Sequence, residues 1–183
     1  MERLGIYGGT FDPMHLGHLH LIEQVISRKI VDQLLVVPAG DPQLRDHAPF
    51  ATGAQRKAMC WAALKDLPSE VASKVEVSSI EILRQGPSYT IDTLEAVKQT
   101  YPRHQLVLIL GSDAYKRINE WHRAKELKAM VEFVVIDRPQ HAGESTHKID
   151  ALDVSSTEVR SGMSQAVSPS VAAYIKEHNL YAS

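Results

Sequence analysis

Residues 4–18 read Leu4-Gly5-Ile6-Tyr7-Gly8-Gly9-Thr10-Phe11-Asp12-Pro13-Met14-His15-Leu16-Gly17-His18. Leu4 to Tyr7 is an apolar run of strand length, and Gly8-Gly9 closes it. From Leu16 the spacing turns helical, with Leu16, Leu19, Ile22, Val25 and Ile26 on one face. Two glycines after a strand let the backbone turn sharply and bring its N–H groups close to a ligand. The helix that follows aims its N-terminus, with partial positive charge and unbonded amides, at the same space. His15 and His18 are three apart, so they share one face of its first turn. The combination reads as a phosphate site with two imidazole donors above it.

The same alternation continues outward from this stretch. Leu34 to Val37 reads as a strand stopped by Pro38, followed by a polar loop from Ala39 to about Ala51 and a helix from about Gly53 to Asp66. Val75 to Ile82 is strand-like, Gly86-Pro87-Ser88 breaks it, and the spacing predicts a helix over Thr90 to Thr100. Leu106 to Leu110 is a continuous apolar run, as expected of a strand covered on both faces. Gly111-Ser112-Asp113 ends it, a helical region runs to about Met130, and Phe133 to Ile136 is a further strand. The polar segment Arg138 to Lys148 is expected to be a mobile loop. Ser155 with Glu158 fits a capping box, and Ser168-Pro169 fits a helix start with proline in the first position. Strands alternating with helices predict a Rossmann-like, doubly wound, mostly parallel sheet with helices on both faces. The chain is expected to form one domain over 1–183, with a C-terminal helical part from about residue 155. In such folds ligands bind past the carboxyl ends of the strands, where the strand order reverses. The loops after the first, second and Leu106–Leu110 strands are therefore the ones to inspect.

Bulk properties exclude several classes. With 183 residues the chain can bury a sizeable core, roughly 70% of the unfolded surface. Twenty basic and 22 acidic residues give a net charge of −2, which is no footprint for nucleic acid. An anionic partner must be met by a local cluster. Cys60 is the single cysteine and reads as a small buried hydrophobe in a helix, consistent with a reducing cytoplasm. Met1-Glu2-Arg3 does not begin a signal peptide, and no apolar run approaches the ~20 residues that span a bilayer, so a cytoplasmic protein with no membrane partner is expected. Neither G-x-G-x-x-G nor G-x-x-x-x-G-K-[ST] occurs, which disfavours a dehydrogenase and a P-loop NTPase. A zinc site at His15 and His18 lacks a third ligand at a recognisable spacing, and no protein-held metal is expected.

Gly8-Gly9-Thr10-Phe11-Asp12-Pro13 with His15-x-Gly17-His18 resembles the signature of the nucleotidylyltransferase superfamily, and Ser155-Ser156-Thr157-x-x-Arg160 resembles its second motif. Finer matches point to the bacterial nicotinate-mononucleotide adenylyltransferases. These are Arg56 and Met59, then Glu81 and Arg84 ahead of Gly86-Pro87-Ser88-Tyr89-Thr90-x-Asp92-Thr93-Leu94, then Gly111-Ser112-Asp113-Ala114, Trp121-His122, and the ending Tyr174-Ile175 through Leu180-Tyr181. The resemblance spans essentially the whole chain. Four positions depart from it. Gln43-Leu44-Arg45 stands where Pro-His-Lys is usual, Ala124 replaces a second Trp, Ser112 stands for Gly or Ala, and the stretch from Arg160 to Pro169 is short.

The resemblance implies direct attack of a mononucleotide 5′-phosphate on the α-phosphorus of ATP, with pyrophosphate leaving and Mg²⁺ accompanying ATP. His15, His18 and Arg160 are the implied catalytic residues. Gly8, Gly9, Thr10, Phe11, His15, His18, Gly111, Asp113, Ser155, Ser156, Thr157 and Arg160 are the implied ATP contacts. Arg45, Thr90 and Trp121 are implied for nicotinate mononucleotide, with Trp121 stacking on the pyridine ring and Arg45 joining Arg160 on pyrophosphate. Trp121 as a packing residue, Asp113 as a helix cap and Asp12 as a shaper of the turn before Pro13 are the plainer readings. A homo-oligomer is left open. The alternatives are a sister enzyme using nicotinamide mononucleotide or another small phosphate, and a non-catalytic nucleotide-binding protein of the same fold. His15 argues against a phosphopantetheine enzyme, where Thr is usual.

Overall fold

The computed structural model describes residues 1–40, 48–137, 147, 149 and 152–182. Gln43, Leu44 and Arg45 lie outside these, as does nearly all of the segment 138–148. The elements in chain order are β1 (Arg3–Gly9), α1 (Leu16–Ser27), β2 (Gln33–Pro38), α2 (Gly53–Leu64), α3 (Ser69–Ala72), β3 (Val75–Val77), α4 (Thr90–Thr100), β4 (Gln105–Gly111), α5 (Ser112–Lys116), α6 (Ala124–Met130), β5 (Glu132–Ile136), α7 (Ser156–Arg160) and α8 (Pro169–Glu177).

Among the described residues the strands form one sheet in the order β3-β2-β1-β4-β5. Every pairing in it is parallel, and β1 sits centrally, with Leu4 opposite Gln33 of β2 and Leu106 of β4. The chain winds outward from β1 through β2 to β3, then returns to the other side of β1 for β4 and β5. The order therefore reverses between β1 and β4, and the clefts past their carboxyl ends are where ligands bind in this architecture.

Strand side chains alternate between two cores. On one face, Ile22, Val25 and Ile26 of α1, Met59, Cys60 and Ala63 of α2 and Val171 of α8 pack on Leu34, Val36, Val107, Ile109 and Val134. On the other, Ile91, Leu94 and Val97 of α4 and Leu127 of α6 pack on Leu4, Ile6, Leu35, Val37, Leu106 and Leu108. Burying each such aliphatic side chain contributes about 1.5–3 kcal/mol, so this two-sided burial fixes which face of each helix meets the sheet. The predicted doubly wound sheet with helices on both faces is what the chain forms.

Three details differ from the sequence reading. The strand expected over Val75 to Ile82 stops at Val77. Beyond it the Ile80 amide donates to the Ser78 hydroxyl, the Leu83 amide to the Ser79 carbonyl and the Arg84 amide to the Glu81 carbonyl. Serine side chains that bond nearby backbone compete with a sheet ladder, and β3 is an edge strand with one neighbour to hold it. The helical region after β4 is divided, with α5, a 3-10 turn at Ile118–Glu120 and α6 separated by Arg117 and by Arg123, whose φ is +52°. Leu16, expected on the apolar face of α1, is 38% exposed at the first position of the helix.

Candidate active site

The turn from β1 to α1 is irregular backbone, and its polar groups are taken up by residues far away in sequence. Arg56 is 2% exposed and spreads its guanidinium over the carbonyls of Thr10, Ala39 and Ala51, at 2.8, 2.7 and 3.2 Å. One side chain thereby joins the loops after β1 and β2 to the start of α2. Its spacing with Met59, Cys60 and Ala63 places it on the buried face of α2, a signal the sequence carried. Burial pushes the Cys60 thiol well above its ordinary range, and the charge of Arg56 opposes this without reversing it.

Asp12 is equally buried. Its carboxylate accepts from the amides of Phe50 (2.8 Å) and Ala51 (3.1 Å) and from the Tyr181 hydroxyl (2.7 Å). Its carbonyl accepts from Arg160 Nη1 at 2.6 Å. Asp12 thus does more than shape the turn before Pro13: it anchors that turn to α2, α7 and the chain's end.

Above the turn the His15 and His18 rings stack, with centroids 3.6 Å apart and planes at 22°. The His15 backbone N–H donates to His18 Nδ1 at 3.1 Å. A ring nitrogen that accepts carries no proton, so neutral His18 holds its proton on Nε2, away from the backbone. The Phe11 ring lies edge-on to His18 at 5.0 Å and supports it from the side. Two glycines make room for these rings. A Cβ on Gly9 would fall 2.8 Å from the Phe11 ring, and one on Gly17 would fall 3.0 Å from the His15 ring. Gly8 is exposed, and a Cβ added there would meet nothing within 4 Å.

The second motif reaches the same turn. Ser155 caps α7, its hydroxyl and amide both bonded to Glu158 Oε2, so this hydroxyl serves the helix. The Ser155 hydroxyl and amide hold the Glu158 carboxyl below the usual carboxylate range. Ser156 Oγ donates to the Pro13 carbonyl at 3.0 Å. Arg160 bonds Asp12 and the Thr157 hydroxyl, and its guanidinium lies 4.8 Å from the centre of the exposed Phe50 ring. Gly9, Thr10, Phe11, His15, His18, Ser156, Thr157 and Arg160 are thereby brought to one place. Thr10 is buried, and its carbonyl is taken by Arg56.

Gly111 and Asp113 lie at the end of β4 and the start of α5, beside β1 at the point where strand order reverses. Thr90 and Trp121 belong to a neighbouring group on the other face of the sheet. Thr90 opens α4, and the Tyr89 ring before it lies 4.4 Å from the His122 ring at a 31° tilt. Trp121 is half-buried against the α4 core and so does pack, with part of its ring exposed. Arg123 ties this loop to α4 through Glu95 (2.7 Å) and to α6 through Glu126 (2.6 Å). Glu81 bridges to the phosphate side, accepting from Thr93 at 2.8 Å and from the Gly40 amide at 3.3 Å.

A cavity of about 460 Å³ lies at the opposite, amino end of the sheet, lined by Glu2, Asp32, Glu76, Lys74 and Tyr101 among others. Its Glu2, Asp32 and Glu76 carboxylates repel a polyphosphate. The amide-rich end at β1 is the better anion site on charge alone. No group of three His, Cys, Asp or Glu residues among those described is placed to hold a metal ion. No helix among the described residues is long and apolar enough to cross a membrane.

A model of the cytidylyltransferase-like family matches residues 6–162. The nicotinate-nucleotide adenylyltransferase of Bacillus subtilis (strain 168) is 31% identical over 194 residues, covering 100% of each chain. A relative from Synechococcus sp. (strain JA-3-3Ab), with the same activity in its name, is 36% identical over 98% of this chain and 95% of its own. In fold, the chain is similar to Plasmodium falciparum nicotinic acid mononucleotide adenylyltransferase complexed with NaAD, with TM-score 0.83, 21% identity, and 99% and 98% of the two chains covered. With a family model matched over residues 6–162 and relatives of 31% and 36% identity matched over nearly their full length, the chain belongs to the nicotinate-nucleotide adenylyltransferase family.

Proposed function

We propose that the chain transfers the adenylyl group of ATP to nicotinate mononucleotide in the cytoplasm, on the route to NAD. The observation that carries this is the stacked His15–His18 pair, set above a glycine turn that Arg160 and Ser156 of the second motif also grip. The mononucleotide 5′-phosphate oxygen attacks the α-phosphorus of ATP. The new P–O bond forms as the α–β bridging P–O bond breaks, and its electrons leave with pyrophosphate. The attacking oxygen is already charged, so no protein nucleophile is needed. The protein holds two polyanions in line and offsets their repulsion.

The amides of Gly9, Thr10 and Phe11 meet the triphosphate, with Gly8 leaving space for approach. His18 Nε2–H donates at the α-phosphate, where charge develops. A preorganised donor of this kind contributes about 3 kcal/mol to the transition state. Arg160 leaves its stack on Phe50 to meet pyrophosphate, and Arg45 joins it. Ser156 and Thr157 supply the amide end of α7, with Ser155 kept by Glu158 as its cap, and Gly111 and Asp113 meet the nucleoside. Thr90 and the exposed part of Trp121 receive the pyridine ring, its carboxylate taking the first amides of α4. The cradle consists of N–H donors and imidazoles, a set that suits an anion, so Mg²⁺ rides on the phosphate oxygens and water. The test is pyrophosphate release with ATP, Mg²⁺ and, in separate reactions, nicotinate mononucleotide, nicotinamide mononucleotide and phosphopantetheine. Fastest release with nicotinate mononucleotide is expected. Release with another phosphate would reassign the substrate, and no release with any would leave a binding protein.

A further inference from the structure

The Tyr181 hydroxyl reaches Asp12 across nearly the whole length of the chain. It meets a carboxylate that is 2% exposed, on Oδ1, the oxygen that also accepts the Ala51 amide. Tyr181 itself is held with φ +60°, a left-handed conformation that costs a non-glycine residue free energy and persists because the surroundings fix it. The residues before it are bonded back onto α8, with the Asn179 amide on the Lys176 carbonyl and the Leu180 amide on the Ile175 carbonyl. α8 is in turn anchored at its start by Asp66, which accepts from the Ser170 amide and hydroxyl. The end of the chain is thus built to deliver one phenol to one buried carboxylate.

That carboxylate belongs to the turn carrying the phosphate-facing amides, and the same residue's carbonyl holds Arg160. A buried carboxylate that loses a donor must find another or move. If Asp12 moves, the Phe11 and Thr10 amides move with it, and so does the carbonyl that aims Arg160. Burial and the Asp12 carboxylate both push the Tyr181 phenol above its ordinary range, so it remains a donor at any working pH. The segments carrying Thr90 and Trp121 are held by separate contacts on the other face of the sheet, Tyr89 against His122 and Arg123 on Glu95.

We infer that Tyr181 is a positioning residue for ATP: its hydroxyl, through Asp12, sets the β1–α1 turn and Arg160, and nucleotide binding is coupled to docking of the C-terminal segment. This rests on the functional reading for the identity of the nucleotide, and direct binding separates the two. Calorimetric titration with α,β-methylene-ATP and Mg²⁺ is to be run on wild type, Tyr181→Phe and Ser170→Ala. Tyr181→Phe keeps the ring and is expected to weaken binding about tenfold, on the scale of a sub-ångström misplacement. In turnover, KM for ATP rises while KM for nicotinate mononucleotide stays within twofold. Ser170→Ala removes one of the two bonds from α8 to Asp66 and leaves the Tyr181–Asp12 bond in place, so it is expected to weaken binding less than Tyr181→Phe does. Binding by Tyr181→Phe within twofold of wild type, or equal weakening in Ser170→Ala, overturns the inference. So does a wild type that binds no analogue, whereas analogue binding without turnover on any mononucleotide sinks the functional reading and spares this one. Because coupling is reciprocal, saturating analogue must also slow hydrogen exchange at the Asn179 and Leu180 amides of wild type. Unchanged exchange there overturns the inference even if Tyr181→Phe does not fold.

Discussion

His18 carries the strongest claim at the scale of one residue. Its Nδ1 is committed to the His15 amide, which leaves Nε2 as the donor. His18→Ala removes that donor and should lower kcat by about 10²–10³ while KM for nicotinate mononucleotide stays within a few-fold. A steady-state comparison that found full kcat would remove the role. Arg56 makes the opposite kind of prediction. It is buried on backbone carbonyls, so it acts on stability. Arg56→Lys keeps the charge but cannot span the Thr10, Ala39 and Ala51 carbonyls, and should cost about 2–3 kcal/mol in denaturant unfolding. Cys60 is buried beside it with its thiol pushed up, so the native protein should not react with a thiol reagent at pH 8, and one equivalent should react in denaturant. Rapid native labelling would contradict the packing described for α2.

α7 shows how an element's start can be tested by pH. Ser155 and Glu158 were legible as a capping box, and that box forms. The Glu158 carboxyl is held below its ordinary value of 4.5 by the Ser155 hydroxyl and amide. A group depressed in the folded state stabilises above its unfolded pKa and loses that contribution as pH falls through the depressed native value. Glu158→Gln should therefore have a lower Tm than wild type at pH 7, and the gap should close in acid below the ordinary glutamate range. A gap of constant size from pH 7 to pH 3 would show that the carboxylate charge contributes nothing. The apolar runs and the helix at Thr90–Thr100 were equally legible, because hydrophobic period is written residue by residue. The end of β3 at Val77 and the break at Arg123 were not. Both depend on partners remote in sequence or on local serine bonds that no period reveals.

At the scale of the whole molecule, the doubly wound sheet followed from the alternation of strands and helices, and the β1 turn pointed to the candidate site. The fastening of that site did not. Asp12, Tyr181, Arg56 and Phe50 each act through a partner in another element, and a single sequence shows such pairs only as isolated residues. ATP is expected to enter at the carboxyl ends of β1 and β4, although a cavity of about 460 Å³ lies at the amino end. Binding to the native state should then stabilise the whole fold, by about 2.7 kcal/mol at a ligand concentration a hundred times Kd. The measurement that decides the location is amide chemical-shift mapping of the ¹⁵N-labelled protein on titration with α,β-methylene-ATP and Mg²⁺. Shifts centred on Gly9, Thr10, Phe11, His15, His18 and Thr157 are predicted. Shifts centred on Glu2, Asp32, Lys74 and Glu76, with the β1–α1 turn unmoved, would contradict the assignment of that turn as the triphosphate cradle.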